Sequence, residues 1–427
     1  MKAFLLLLLP TLSMAAIPSK EFQFKQSLKT VIANSTMPDV KPGMVVASPS
    51  REAPNYYFDW VRDTALTMRA LIDYFELTKD AKVKSMILTW VDAEAYRQTL
   101  PTFTGLGEPK YEIDGSGYTG PWGRPQNDGP ALRAISMIKF ARLMLKEGNQ
   151  DYVIKKLYHS VLPAESPIKR DLEYVAHHWP EHSFDLWEEE KGMHFYTLLA
   201  QYTALQEGAK LAQELADTFA ADFYKLQAER IGRKLKAEFV DERIGLLVTT
   251  EKSAPLGYKN SGIDVAPLLA LLHTSPYQTL FPLNDAHVLK YVETLTQTFS
   301  DIYDINKKHT DLGVSIGRYP EDRYDGYETS KLGNPWFLST LALGEYFCVM
   351  KSQLASKGKL TKSLSKQLSE VTEKQFKRAL YHSDRKGAMS EQFNHQTGIM
   401  QGAYELTWSH NAFMTAMMRC NLLKAKN

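Results

Sequence analysis

Cysteine is nearly absent from this chain: Cys348 and Cys420 are the only two in 427 residues. No Cys/His cluster has zinc-ligand spacing, which excludes a structural zinc site. Both cysteines fall in apolar helical segments, where a bridge and two buried thiols are equally open readings. Blocks of like charge are also missing. With 51 Lys+Arg against 49 Asp+Glu, the net charge is +2, and no basic patch suggests nucleic acid as a partner. Beyond the N-terminus no apolar run approaches the roughly 20 residues of a membrane span. Strand-type alternation is scarce, with Gly245–Thr249 the best short candidate. No unit repeats at solenoid spacing, and no low-complexity linker divides the chain.

What is present begins with an export signal. Lys2, the apolar stretch Leu5–Leu9 and the small residues Ser13-Met14-Ala15-Ala16 form a secretory leader pattern. Residues 1–15 are therefore expected to be removed, leaving 16–427 as one domain in a secreted protein (extracellular, periplasmic or lumenal according to source). Asn34-Ser35-Thr36 fits a glycosylation sequon.

Helical periodicity dominates the rest, as in Leu66, Met68, Leu71, Ile72 and Phe75. Helices are predicted over 22–33, 64–77, 82–100, 130–146, 168–178, 193–207, 211–239, 265–273, 286–299, 335–354, 360–382 and 406–423. Six connections are rich in Gly, Pro, aromatic and charged residues: 54–63, 105–129, 183–192, 252–264, 313–336 and 388–408. They alternate with plainer ones. Twelve helices with every second connection elaborated predict an all-α fold, six helical hairpins in an (α/α)6 barrel with the rich loops at one end. An open solenoid is the competing arrangement.

Those loops hold the candidate chemistry. Glu188, in Phe184-Asp185-Leu186-Trp187-Glu188-Glu189-Glu190, and Glu391, in Ser390-Glu391-Gln392, are two carboxylates in polar loops. Cleaving a glycosidic bond needs one protonated acid and one ionised base or nucleophile. Glu188 is expected just before a helix, where acidic residues also serve the helix dipole. Repulsion from Glu189 and Glu190 and burial beside Trp187 would raise a carboxyl pKa there. Asp63 precedes an apolar segment and reads as an N-cap. With Arg62 it also offers the donors and acceptors that adjacent sugar hydroxyls require. Trp122, between two glycines, can present a flat face to a ligand, and Arg318 is a candidate clamp.

Taken together, these segments resemble the glucoamylases, the family 15 glycoside hydrolases. The resemblance is carried by Val45–Ser50, Trp60–Asp63, Leu106–Tyr111, Gly123–Gln126, Asp128–Arg133, Phe184–Glu189, Ser261-Gly262, Gly317–Asp322, Gly333–Phe337, Ser390–Gln392 and Leu406–Ser409. It covers nearly the whole mature chain in family order. It implies an (α/α)6 barrel that removes glucose from non-reducing ends of α-1,4-glucans with inversion. Glu188 then resembles the general acid and Glu391 the general base. Arg62, Asp63 and Arg318 resemble the residues holding the terminal glucose, and Glu189 a ligand of the next sugar. Tyr56 matches a tyrosine near the catalytic water and Trp122 a site tryptophan. Leu186 and Trp187 line the pocket, with Trp408 beyond.

The resemblance calls for no cofactor or metal, and the expected partner is a glucan or maltooligosaccharide. Neither nucleic acid nor membrane is expected, and the chain is expected to act as a monomer. Without a starch-binding module, soluble or short glucans are the expected substrates. The loop Arg323–Leu332 is longer than in many members, so the resemblance says least about the leaving-group side. A trehalase or isomaltose-type glucosidase on the same scaffold is the nearest alternative. A non-catalytic sugar-binding protein would not need both carboxylates.

Overall fold

A computed structural model describes residues 17–252 and 259–423; the expected leader lies outside them. Twelve helices of eight residues or more are formed by the described residues. They are α1 (Lys20–Asn34), α2 (Val61–Thr78), α3 (Ala81–Arg97), α4 (Asp128–Lys146), α5 (Pro167–His178) and α6 (Phe195–Glu214). Then follow α7 (Thr218–Glu238), α8 (Ala266–His273), α9 (Ala286–Ile302), α10 (Phe337–Ser356), α11 (Lys362–His382) and α12 (Thr407–Arg419).

The even-numbered helices close a ring. Helix α2 packs on α4, α4 on α6, α6 on α8, α8 on α10, α10 on α12, and α12 back on α2. That last contact excludes the open solenoid and makes the fold an (α/α)6 barrel. The odd-numbered helices form the outer layer: α7 lies on α6, α11 on α10, α5 on α4 and α1 on α12. Sequence accounts for the two layers. Helix α10 buries residues around most of its circumference because it is covered on both sides. Helix α9 buries one stripe, Val288, Tyr291, Val292, Leu295 and Phe299.

The boundary that the periodicity misplaces most is the break between α6 and α7, set at 208–210. Helix α6 runs through to Glu214. Gly208 sits mid-helix because a Cβ there would lie 2.6 Å from both Leu172 methyl carbons, so glycine permits close approach of α5. The true break is at Ala216 (φ +63°), after which Asp217 accepts from the Ala220 N–H and caps α7.

The described residues of the six elaborated loops lead into the N-termini of the inner helices, which places them at one end of the barrel. Short strands brace them. β1 (Asp59–Trp60) pairs with β2 (Lys110–Tyr111), and β3 (Ser183–Phe184) with β4 (Lys191–His194). Beneath β1 a buried chain of ion pairs runs from Asp59 to Arg97 (2.7 Å), and from Glu94 through Arg133 (2.7 Å) to Asp171 (2.6 Å). Arg97 also pairs with Glu94, so α3, α4 and α5 are tied to the strand under the site.

Cys348 and Cys420 form a disulfide joining α10 to the end of α12. Asn34 is buried, and its amide donates to Glu405 O (3.1 Å) and Thr407 Oγ1 (2.8 Å). The sequon is therefore closed to modification in the folded chain. Among the described residues no helix is long and apolar enough to cross a membrane.

Candidate active site

Helix α2 starts directly after β1, which fixes Arg62 and Asp63 at the barrel end. Asp63 is not the N-cap: Trp60 holds that position and Asp63 lies inside the first turn. Its carboxyl is free for other work. Burial pushes it up to about 7, opposed by Arg62 and assisted by Glu188 and Asp128. Arg62 is nearly inaccessible. Its Nη1 donates to Asp128 Oδ2 (2.9 Å) and Gln126 Oε1 (3.1 Å), and its Nη2 stands 3.7 Å from Glu188 Oε1.

Glu188 does not open a helix. It occupies the turn between β3 and β4 at φ +66°, and α6 begins only at Phe195. The turn is built by Asp185: its Oδ1 accepts from the Glu189 (2.8 Å) and Glu190 (2.9 Å) N–H groups, and its carbonyl from the Glu188 N–H (2.9 Å). Burial would raise Asp185, but the Lys259 ammonium at 2.8 Å holds it well below the usual carboxylate range. Glu188 Oε1 accepts from Trp60 Nε1 (2.8 Å) and Gln126 Nε2 (2.9 Å), two donors from separate loops.

Across the site, Arg318 forks onto Asp322 at 2.8 and 2.6 Å and reaches Glu189 Oε1 at 2.9 Å. Glu189 also accepts from Tyr319 Oη (2.7 Å) and pairs with Lys259 (3.3 Å). Glu391 is completely buried at the start of a small hairpin, its N–H donating to Ala403 O (2.9 Å). Burial raises its carboxyl to about 7, against the lowering effects of Tyr56, Arg318 and Tyr324.

These elements line one open pocket. Glu188 and Glu391 both line it, with Tyr56, Arg62, Asp63, Trp122, Leu186, Trp187, Arg318 and Trp408. Of the expected residues only Glu189 is not in the wall; it stands behind Arg318. Trp60, Tyr324 and Trp336 line the pocket too, and Gln126 reaches Glu188. Sequence reasoning did not assign these four. Trp60, Gln126 and Trp336 stood within the matching segments. Tyr324 belongs to the divergent loop and meets Tyr56, Oη to Oη, at 3.2 Å.

Among the lining groups, Arg62 Nε, Trp122 Nε1, Trp336 Nε1 and Glu391 Oε1 are buried without a hydrogen-bond partner. Buried polar atoms are rarely left so. Donors and an acceptor among aromatic faces match a hydroxyl-rich ring with apolar C–H surfaces.

A closed (α/α)6 ring with three carboxyl groups, two arginines and aromatic walls in one pocket defines a carbohydrate-processing site. The family model of glycosyl hydrolases family 15 matches residues 24–418, and the chain belongs to that family. Its similarity to curated relatives extends to a glucoamylase of Blastobotrys adeninivorans, 34% identical over 93% of this chain and 70% of that protein. An intracellular, sporulation-specific glucoamylase of Saccharomyces cerevisiae is 30% identical over 93% of this chain and 82% of its own. Among solved structures, a glucoamylase from Saccharomycopsis fibuligera superposes with a TM-score of 0.84 at 29% identity, covering 94% of this chain and 95% of that one.

Proposed function

We propose that the protein is an exo-acting glucan 1,4-α-glucosidase that hydrolyses terminal α-1,4-linked glucose from the non-reducing ends of starch, glycogen or maltooligosaccharides and releases β-glucose. The observation that carries the reading is the presence of Glu188 and Glu391 in the wall of one pocket with the Arg62–Asp63 and Arg318 groups.

The geometry supports a role for each. Trp60 and Gln126 both donate to Glu188 Oε1, which fixes that oxygen as an acceptor and leaves Oε2 to carry the proton. Glu188 gives that proton to the glycosidic oxygen as its bond to C1 breaks. Glu391 takes a proton from the water that attacks C1 from the opposite face, so the anomeric configuration inverts. Inversion requires the two carboxyl groups to stand roughly 6.5–9.5 Å apart, leaving room for that water. Afterwards Glu188 is ionised and Glu391 protonated, and exchange with solvent resets both. Asp63, Arg62 and Arg318 bind the terminal glucose, and Trp122, Trp187 and Trp408 pack on its faces. Glu189 acts through Arg318, and through it on the following sugar.

Export through the N-terminal leader pattern belongs to the same proposal. The test is glucose release from maltose and maltotriose by the wild type and by Glu188→Gln and Glu391→Gln. Both variants should lose at least about a thousandfold in kcat, the scale on which loss of a catalytic group is felt. A Glu188→Gln enzyme with near-normal turnover contradicts the assignment. Hydrolysis of trehalose or isomaltose in preference to maltose would move the activity to the alternative on the same scaffold.

A further inference from the structure

Beside the pocket, four aromatic rings close on each other around one ammonium group. Strand register starts the arrangement: Trp60 and Lys110 are directly opposite in the β1–β2 pair, so their side chains share a face. Phe58, two residues before Trp60, shares it too. The loop after β2 then supplies Tyr118 and Trp122. The rings meet in sequence around a circuit: Phe58–Trp60 (6.1 Å between centroids, 88°), Trp60–Trp122 (5.9 Å, 62°), Trp122–Tyr118 (5.9 Å, 86°) and Tyr118–Phe58 (5.4 Å, 76°). Edge-to-face contacts at these distances form a box with open ring faces inside.

Lys110 Nζ occupies that box. It lies 3.6 Å from the Trp122 centroid, 3.8 Å from Phe58, 4.2 Å from Tyr118 and 4.7 Å from Trp60. No carboxylate is within ion-pair distance of it among the described residues, although the side chain is nearly inaccessible. An ammonium taken from water with no anion at ion-pair distance is held chiefly by the negative ring faces. Two of the four walls, Trp60 and Trp122, also line the sugar pocket. Trp60 is the wall that donates to Glu188 Oε1 at 2.8 Å.

We propose that Lys110 is a positioning residue for the reaction: its ammonium fixes the planes of Trp60 and Trp122, and through the Trp60 indole N–H it orients the Glu188 carboxyl. The proposal rests on the assignment of Glu188 as the acid. Loss of the positive charge would leave the ring faces without their common partner, and the indole N–H would no longer be aimed at Oε1. A misplacement of about 1 Å at a reacting group can cost roughly a hundredfold in rate, so a loosened indole is felt in kcat. Burial lowers Lys110 to about 8, with Glu188 and Glu112 acting to raise it and Arg124 to lower it. The charge that organises the box is therefore lost in mildly alkaline solution.

The experiment compares wild type, Lys110→Met and Lys110→Arg on maltose across pH, with thermal midpoints and near-ultraviolet circular dichroism. Lys110→Met keeps the side-chain length without the charge, and should lose about tenfold or more in kcat with a much smaller change in KM. Its tryptophan dichroism should also change. Lys110→Arg keeps a cation that does not titrate in this range, and should recover part of the kcat. The tryptophan dichroism of the wild type should change as pH rises through about 8, where the Lys110 charge is lost, and that of Lys110→Arg should not. If Lys110→Met fails to fold, the wild-type and Lys110→Arg profiles decide alone. Coincident pH profiles of the dichroism in those two, or a folded Lys110→Met with wild-type kcat and dichroism, would overturn the inference. An inactive wild type would instead overturn the functional reading beneath it.

Discussion

Gly402 makes room for Glu391. A Cβ built on Gly402 would overlap Glu391 Oε2, and its φ of +75° already lies where side chains are strained. The proposed base thus occupies space that only glycine leaves open.

Replacing Gly402 by alanine should therefore displace the Glu391 carboxylate while leaving the hydroxyl-binding groups in place. We expect kcat on maltose to fall by about ten- to a hundredfold, the range for a misplaced catalytic group, with KM changed far less. Steady-state kinetics with a circular dichroism control measure this. An unchanged kcat would mean that the carboxylate position does not matter to the rate.

The acidic limb of the pH profile should report Glu391. Burial raises its carboxyl to about 7, and a base must be ionised, so activity is present above that value and falls as pH drops through it. Tyr56 and Tyr324 each act to lower the Glu391 value. Tyr56→Phe and Tyr324→Phe should consequently move the acidic limb of kcat/KM to higher pH. A shift to lower pH would have the wrong sign for a hydrogen bond to the ionised form.

Gly208 tests the packing of the barrel layers. Gly208→Ala drives a methyl into Leu172, and overpacking of this kind costs about 1–3 kcal/mol. Denaturant unfolding should show a lower midpoint, and Leu172→Ala should cost less in the Gly208→Ala background than in the wild type. A stabilised Gly208→Ala protein would mean that helix propensity outweighs the clash.

The disulfide makes a separate prediction. Cys348 and Cys420 are 72 residues apart in sequence, and opening such a loop typically costs about 2–4 kcal/mol. Reduction, or Cys348→Ala with Cys420→Ala, should lower the thermal midpoint. Neither cysteine lines the pocket, so kcat at room temperature should be retained.

Much of this architecture was legible in the chain because helical periodicity and loop composition are local signals. Alternation of rich and plain connections led to the (α/α)6 barrel, although only the α12–α2 contact distinguishes it from a solenoid. Gly208 misled because a glycine that ends a helix and one that admits a neighbour look alike in sequence. From sequence Glu188 reads as preceding a helix because strands of two and four residues leave no period to read. The buried Asn34 could not be separated from an exposed sequon. Lys110 carried no signal alone, since its meaning depends on the β1–β2 register and on a loop that brings Tyr118 and Trp122 back. Tyr324 was hidden in the divergent segment for the same reason: its partner, Tyr56, is 268 residues away.

The most direct test of the central claim is the anomeric form of the first glucose released from maltotriose, followed by proton NMR before mutarotation. Glu188 as acid and Glu391 as base on opposite faces of the sugar predict β-glucose. Early accumulation of α-glucose would contradict the two-carboxylate inverting mechanism.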